Sequence, residues 1–289
     1  MRICRFDETR VGLIEGGLVY DVSEAIAELA VRWPLAFGDP LIERLEQLAP
    51  RMQALRKRVS GKRLEEVRLN SPVPWPSKII AAPGNYAMHL AIDLKDPGVD
   101  QGVHSKSIAG IDRPVDKLGL FLKASSSIVG PSDGIEIDWP NRRIDHEIEL
   151  AVIIGRKAKH VSPDLAFDCV AGYSLGIDVT VRGAEDRSFR KSPDTFAVIG
   201  PAIVSKDEIE NPSELTIWLE VNGELRQKTS TAMMTVKIPE LIAIASRVYT
   251  LYPGDIILTG TPEGVGPIAP GDLLRAGGTG LGEMIVAVR

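Results

Sequence analysis

The spacing of apolar residues in this chain mostly follows the two-residue period of strands, with a few helical stretches between. Val11-Gly-Leu-Ile14 and Leu18-Val-Tyr20 flank Gly16-Gly17, which predicts a hairpin near the start. Leu41, Leu45, Leu48, Met52, Leu55 and Val59 recur at helical spacing and predict one amphipathic helix over 40–59. In Asn70-Ser-Pro-Val-Pro-Trp-Pro76 the alternate prolines disfavour helix and make a stiff connector. A domain boundary is expected there, between a small α+β domain (1–71) and a larger one (72–289). Residues 89–117 are polar, carry no period and have the character of a lid or binding loop. The remainder is strand-rich, with turns at Pro131-Ser-Asp-Gly134, Asn222-Gly223 and Pro253-Gly-Asp255. Val221-Asn-Gly-Glu224 is a second hairpin signal, and a helix is expected over 239–249, with Leu241, Ile244, Ala245 and Val248 inward.

Composition changes this picture little. Apolar residues at 44% and charged residues at 25% are those of a globular chain that buries a core without staples. A net charge of −5 argues against nucleic acid as the partner. The one basic cluster, between Arg51 and Arg63, is flanked by glutamates and is expected to be a solvated helix face. No apolar run is long enough to cross a bilayer, and acidic residues follow Phe6 where a signal peptide would be apolar, so no membrane partner is expected. The two cysteines, Cys4 and Cys169, have no metal-ligand spacing and suit a reducing cytoplasm.

The most informative segment chemically is Asp145-His-Glu-Ile-Glu-Leu-Ala-Val-Ile-Ile154. Read as one strand, it puts Asp145, Glu147 and Glu149 on one face, about 7 Å apart along the backbone, close enough for two glutamates to share a hard cation. Asp178 ends the apolar run Gly172-Tyr-Ser-Leu-Gly-Ile, where an unpaired acid needs a partner, and a metal is one. Three carboxylates suit octahedral magnesium; zinc is disfavoured because no Cys or His pair has ligand spacing. Gly172-Tyr-Ser174-Leu-Gly176 matches a nucleophile elbow, but every histidine precedes Ser174 and the following residues read as strand, so a serine nucleophile is discounted. The glycine run 277–282 fails the dinucleotide fingerprint, since Glu283 stands where its third glycine belongs.

Several motifs occur in order: Gly84-Asn-Tyr-Ala-Met-His89, Phe121-Leu-Lys-Ala-Ser-Ser-Ser127 with Val129-Gly-Pro131, Asp145-His-Glu-Ile-Glu149, Gly172-Tyr-Ser-Leu-Gly-Ile-Asp-Val-Thr180, Lys191-Ser-Pro-Asp-Thr-Phe196 and Thr259-Gly-Thr-Pro-Glu-Gly-Val-Gly266. Over roughly residues 78–289 the chain resembles the fumarylacetoacetate hydrolase superfamily, in its acylpyruvase and 2-hydroxyhepta-2,4-diene-1,7-dioate isomerase branch. The resemblance implies a β-rich α+β fold, with a mixed β-roll catalytic domain behind the small N-terminal one, and a homodimer. It implies Mg2+ or Mn2+ on Glu147, Glu149 and Asp178. It implies Lys191 at the anionic end of the substrate, Arg182, Thr261 and Lys123 as substrate contacts, and His89 as the base that activates water. Relatives often carry an acid three residues after that histidine; here Ile92 holds the position and Asp93, one residue on, is the acid available to orient His89. Glu185 stands where relatives often carry a glutamine that places substrate.

The activity expected from this resemblance is hydrolysis of a C–C bond in a small 1,3-diketo acid of the acylpyruvate or fumarylpyruvate type. The alternatives are decarboxylation or isomerisation of a 2-oxo or 2-hydroxy-dienoate diacid in aromatic catabolism, and a non-catalytic metal- and ligand-binding module.

Overall fold

The computed structural model describes residues 1–29, 37–86, 113–139 and 141–289. The fold is α+β and β-rich, as expected. Its spine is a mixed sheet. From one edge the strands run Lys62–Arg63, Leu18–Asp21, Arg10–Glu15, Arg2–Phe6, Ala197–Ser205, Val170–Asp178, Ile148–Ile154, Ile256–Leu258, Ile79–Ala81 and Phe121–Lys123. Neighbours are antiparallel except Ile256–Leu258 and Ile79–Ala81, which pair in parallel. A three-stranded sheet (Thr180–Val181, Ile144–His146, Gly266–Pro267) and a four-stranded one (Glu224–Ser230, Thr216–Val221, Leu273–Gly278, Gly282–Ala287) complete the β structure.

The central strand Ile148–Ile154 is buried along its whole length, which is why it reads as a nearly continuous apolar run. Its two-residue period divides the core. Ile148, Leu150, Val152 and Ile154 face a cluster that includes Leu219 and Leu274 of the four-stranded sheet and Leu241 and Ile242 of the helix Ile238–Val248. Ala151 and Ile153 face the opposite cluster, with Leu41, Ile42, Leu45 and Met52 from the N-terminal helices. The N-terminal segment joins the sheet directly, Arg2 and Ile3 pairing with Val204 and Ile203.

Both expected hairpins form. Glu15 pairs with Leu18 across Gly16-Gly17, and Val221 with Glu224 across Asn222-Gly223, where φ is 52° and 80°. Two helices differ from expectation. The one expected over 40–59 is broken at Arg44, whose φ/ψ of −109°/16° leaves the helical region, into Pro40–Glu43 and Leu45–Arg56. Asp39 caps the first piece by accepting from the amides of Leu41 and Ile42, and the break lets Leu41, Ile42 and Leu45 all point inward. The later helix is Ile238–Val248, and its inward stripe is Ile238, Leu241, Ile242 and Ala245. Val248, expected inward, is 62% exposed at the last residue of the helix, beyond the stretch that packs on the core. Most of the expected lid, with His89 and Asp93, lies outside the described residues; Pro114–Leu118, at its end, is a short helix.

Candidate active site

The segment expected to be one strand is two, Ile144–His146 and Ile148–Ile154, parted at Glu147 where the chain passes from the small sheet to the large one. Ile148 pairs with Ile177 and Glu149 with Gly176, so Glu147 falls opposite Asp178, whose amide donates to the Glu147 carbonyl at 2.8 Å. The register, rather than simple alternation, therefore brings the acids together. Ligand oxygens of Glu147, Glu149 and Asp178 lie within 4.8 Å of one another, and all three residues are buried. Asp145, grouped with them by alternation, is occupied elsewhere: Arg143 donates to it at 2.8 Å and Arg182 at 2.7 Å.

Cations surround two of the three acids. Lys191 Nζ donates to Glu147 (2.8 Å), Asp178 (2.7 Å) and Thr180 Oγ1 (2.6 Å). Burial alone would lower the pKa of Lys191, but Asp178 and Glu147 outweigh it and hold the amine above its ordinary value. Arg182 Nη2 donates to Glu147 at 2.9 Å. The sequence presents Asp178 as an acid lacking a partner; the fold gives it Lys191 and also Lys123, whose Nζ lies at 2.5 Å and also donates to the Lys191 carbonyl. Lys123 is thus buried and engaged with Asp178 and the Lys191 carbonyl.

Glu149 differs. The Gly260 amide donates to it at 2.6 Å, and no cation pairs with it among the described residues. Burial pushes its pKa well above the usual carboxylate range, and the charges of Asp178 and Glu147 push the same way. A buried carboxylate facing two others needs a positive charge, and an all-oxygen donor set suits a hard divalent ion. The buried Tyr86 hydroxyl, whose pKa is raised by burial and then by the charge of Glu149, has no hydrogen-bond partner among the described residues. The residues present therefore fit a bound Mg2+ or Mn2+.

Thr261 is buried in the turn after Gly260, held by Gln227. Gln227 Oε1 accepts from the Ile148 amide at 3.0 Å, so its Nε2 must be the donor to Thr261 Oγ1 (2.9 Å) and to the Pro262 carbonyl (3.0 Å). The same Oε1 lies 3.0 Å from His146 Nδ1, which is therefore the protonated nitrogen. Since Thr261 Oγ1 accepts from Gln227, its own hydrogen remains to be donated. Gly264 closes the turn at φ 90°, with an added Cβ only 2.0 Å from the Arg226 carbonyl, so no side chain fits there. Gln227 gave no sequence signal; its place on the hairpin after Asn222-Gly223 is the clue that was available.

Glu185 makes a bidentate pair with Arg142 at 2.9 Å, which holds its carboxyl below the usual range. Arg182 pairs with Asp145 and Glu147. Ser174 donates to the Gly200 carbonyl in mid-strand, which agrees with discounting it as a nucleophile.

This fold and acidic centre place the chain in the fumarylacetoacetate hydrolase family: the model of its C-terminal domain matches residues 78–289. Among relatives, the chain is 47% identical over 290 residues to a maleylpyruvate hydrolase of Aquipseudomonas alcaligenes, covering all of this chain and 99% of the other. The crystal structure of a maleylpyruvate hydrolase of Sphingobium sp. SYK-6 in complex with manganese(II) and pyruvate superposes with a TM-score of 0.82 at 39% identity, covering 100% of this chain and 98% of that one. A probable 2-hydroxyhepta-2,4-diene-1,7-dioate isomerase of Mycobacterium abscessus superposes with a TM-score of 0.78 at 29% identity, covering 100% and 97%.

Proposed function

We propose that the chain is a metal-dependent enzyme that hydrolyses a C–C bond in a 1,3-diketo acid of the acylpyruvate type, maleylpyruvate and fumarylpyruvate included. The observation that carries this is the convergence of Glu147, Glu149 and Asp178 within 4.8 Å, one of them lacking a cation among the described residues. Full-length similarity to a maleylpyruvate hydrolase supports the substrate class. The three acids would hold Mg2+ or Mn2+, which when bound polarises the 2-oxo-acid oxygens and takes up negative charge. Thr261 donates its remaining hydrogen to the substrate carboxylate. Arg182 holds Glu147 in place, and Lys123 does the same for Asp178. Lys191 puts its ammonium beside the enolate that leaves as the bond breaks. His89, oriented by Asp93, takes the proton of the attacking water. The protein works as a cytoplasmic homodimer.

The likeness to a diene-dioate isomerase favours one second reading, isomerisation through the same enolate without attack by water. Incubating the protein and Mg2+ with acetylpyruvate and with fumarylpyruvate, and measuring pyruvate release with and without EDTA, separates the two. Metal-dependent pyruvate release is expected. Isomerised product without pyruvate would install the second reading, and no turnover of either substrate would remove the first.

A further inference from the structure

Arg187 opens the short helix Arg187–Lys191, four residues before the lysine that touches Glu147 and Asp178. Its guanidinium carbon lies 5.3 Å from the centre of the Phe121 ring. Lys191 Nζ lies 5.5 Å from the centre of that same ring, so the two cations are no farther apart than these distances together allow. Phe121 in turn is two residues from Lys123, which holds Asp178. Arg187 thus belongs to the neighbourhood of the acidic centre, and the charges of Glu147 and Asp178 both act on it.

What sets Arg187 apart is that no acceptor holds its guanidinium among the described residues, although the charge of the adjacent Asp186 acts on it as those of Glu147 and Asp178 do. Arg142 is paired with Glu185, Arg143 with Asp145, and Arg182 with Asp145 and Glu147. Arg190 donates to the carbonyls of Glu185 and Val181. Arg187, half-buried, makes no hydrogen bond and no ion pair among the described residues, and its guanidinium lies over the face of Phe121. The adjacent Asp186 is turned to the helix start, accepting from the amide of Ser188 at 2.8 Å. A guanidinium over a ring face keeps its N–H groups for an acceptor and can receive a carboxylate through two parallel hydrogen bonds.

We propose that Arg187 is a specificity residue that receives the far carboxylate of a dicarboxylic substrate whose 2-oxo-acid end lies at Glu147, Glu149 and Asp178. This rests on the acylpyruvate reading above and narrows it to diacids. The near carboxylate is assigned to Thr261, so a monoacid leaves Arg187 without a partner and a diacid engages both.

The test compares wild type with Arg187→Met, which keeps the aliphatic stem on Phe121, and with Arg187→Lys, which keeps the charge and loses the fork. Against fumarylpyruvate, Arg187→Met should lose about 10- to 100-fold in kcat/KM, carried mainly by KM, while acetylpyruvate changes by less than about twofold. Arg187→Lys should recover part of the loss for the diacid. An equal loss on both substrates would mark a structural role and overturn the proposal, as would no loss on either. A second arm is free of turnover: calorimetry on the Mn2+-loaded protein with 2-oxoglutarate and with pyruvate. Arg187→Met should weaken only 2-oxoglutarate. If wild type hydrolyses neither diketo acid, the acylpyruvate reading fails, and this binding arm alone decides Arg187: selective loss upholds it, equal or absent loss overturns it.

Discussion

Two buried acidic centres attached to the large sheet show how differently a fold can treat a carboxylate. At Asp255, one acid receives four donors: Ser77 Oγ at 2.5 Å, the amides of Lys78 (3.1 Å) and Tyr252 (2.8 Å), and Lys78 Nζ at 2.6 Å. Lys78 is equally engaged, donating also to Ser77 and to the Thr250 carbonyl. Charge and hydrogen bonds close on themselves, and nothing more is required of the site. At the other centre Glu147, Glu149 and Asp178 crowd together, Lys191 is shared by two of them, and Glu149 is left with one backbone amide. Burial is the same in both places. The difference lies in whether every acid is touched by a cation: among the described residues Glu149 is not, and a carboxylate left so is what a bound cation satisfies.

The strongest break of this comparison comes from the ligands. Alanine at Glu147, Glu149 or Asp178 is expected to bring pyruvate release from an acylpyruvate down to the level of the EDTA-treated wild type and to weaken Mn2+ binding in calorimetry. Unchanged Mn2+ affinity in all three variants would dissolve the distinction between the two centres. Next in size is His89→Ala, expected to slow hydrolysis about 10²- to 10⁴-fold while leaving Mn2+ affinity unchanged. Wild-type hydrolysis in that variant would exclude His89 as the base.

The comparison sharpens when each acid is neutralised in place. Asp255→Asn leaves the Lys78 ammonium without its counter-charge and is expected to destabilise the protein by about 3 kcal/mol, the lower end for breaking a buried pair because Lys78 is 17% exposed. Glu149→Gln, measured in EDTA, should instead leave stability unchanged or raise it, since it removes a buried charge that no cation pairs. Urea unfolding of both variants reads the sign, and losses of equal size would show that Glu149 is as well compensated as Asp255.

Much of this contrast is visible in the sequence, and some of it is not. Both hairpins follow from local turn chemistry, because Gly16-Gly17 and Asn222-Gly223 need nothing distant to adopt positive φ. The three acids are also legible, as carboxylates set in apolar runs. What alternation misreads is the break at Glu147: a two-residue period assumes one unbroken strand, and it wrongly groups Asp145 with the others. The cations of Asp178 are out of reach for a different reason. Lys123 lies 55 residues away and Lys191 13, and only the packing of whole elements brings them in. Gln227 is missed likewise: polar and unremarkable among exposed neighbours on its hairpin, it turns inward at 1% exposure to hold the turn that carries Thr261. The break at Arg44 depends on which residues the core can accept, which a helical period does not encode.

The smallest expected effect tests the same asymmetry through protons. Burial raises the pKa of Glu149 and the charges of Asp178 and Glu147 add to it, while Lys191 and the Gly260 amide oppose. An acid whose folded pKa lies above its unfolded value of about 4.3 binds more protons folded than unfolded between those two values. Folding stability in EDTA should therefore fall as pH rises through that window, with a slope of at most about 1.4 kcal/mol per pH unit for one proton. Saturating Mn2+ should reverse the sign, because the ion requires the charged carboxylate and protons compete with it, so the stabilisation it confers shrinks as pH falls. Glu149→Gln removes the titrating group and should flatten the contribution in EDTA. Urea unfolding across a pH series, with EDTA and with Mn2+, measures both slopes. If stability in EDTA rises with pH across the window for wild type, or if Glu149→Gln keeps the wild-type slope, then Glu149 is not the uncompensated acid. The contrast with Asp255 would then not rest on Glu149.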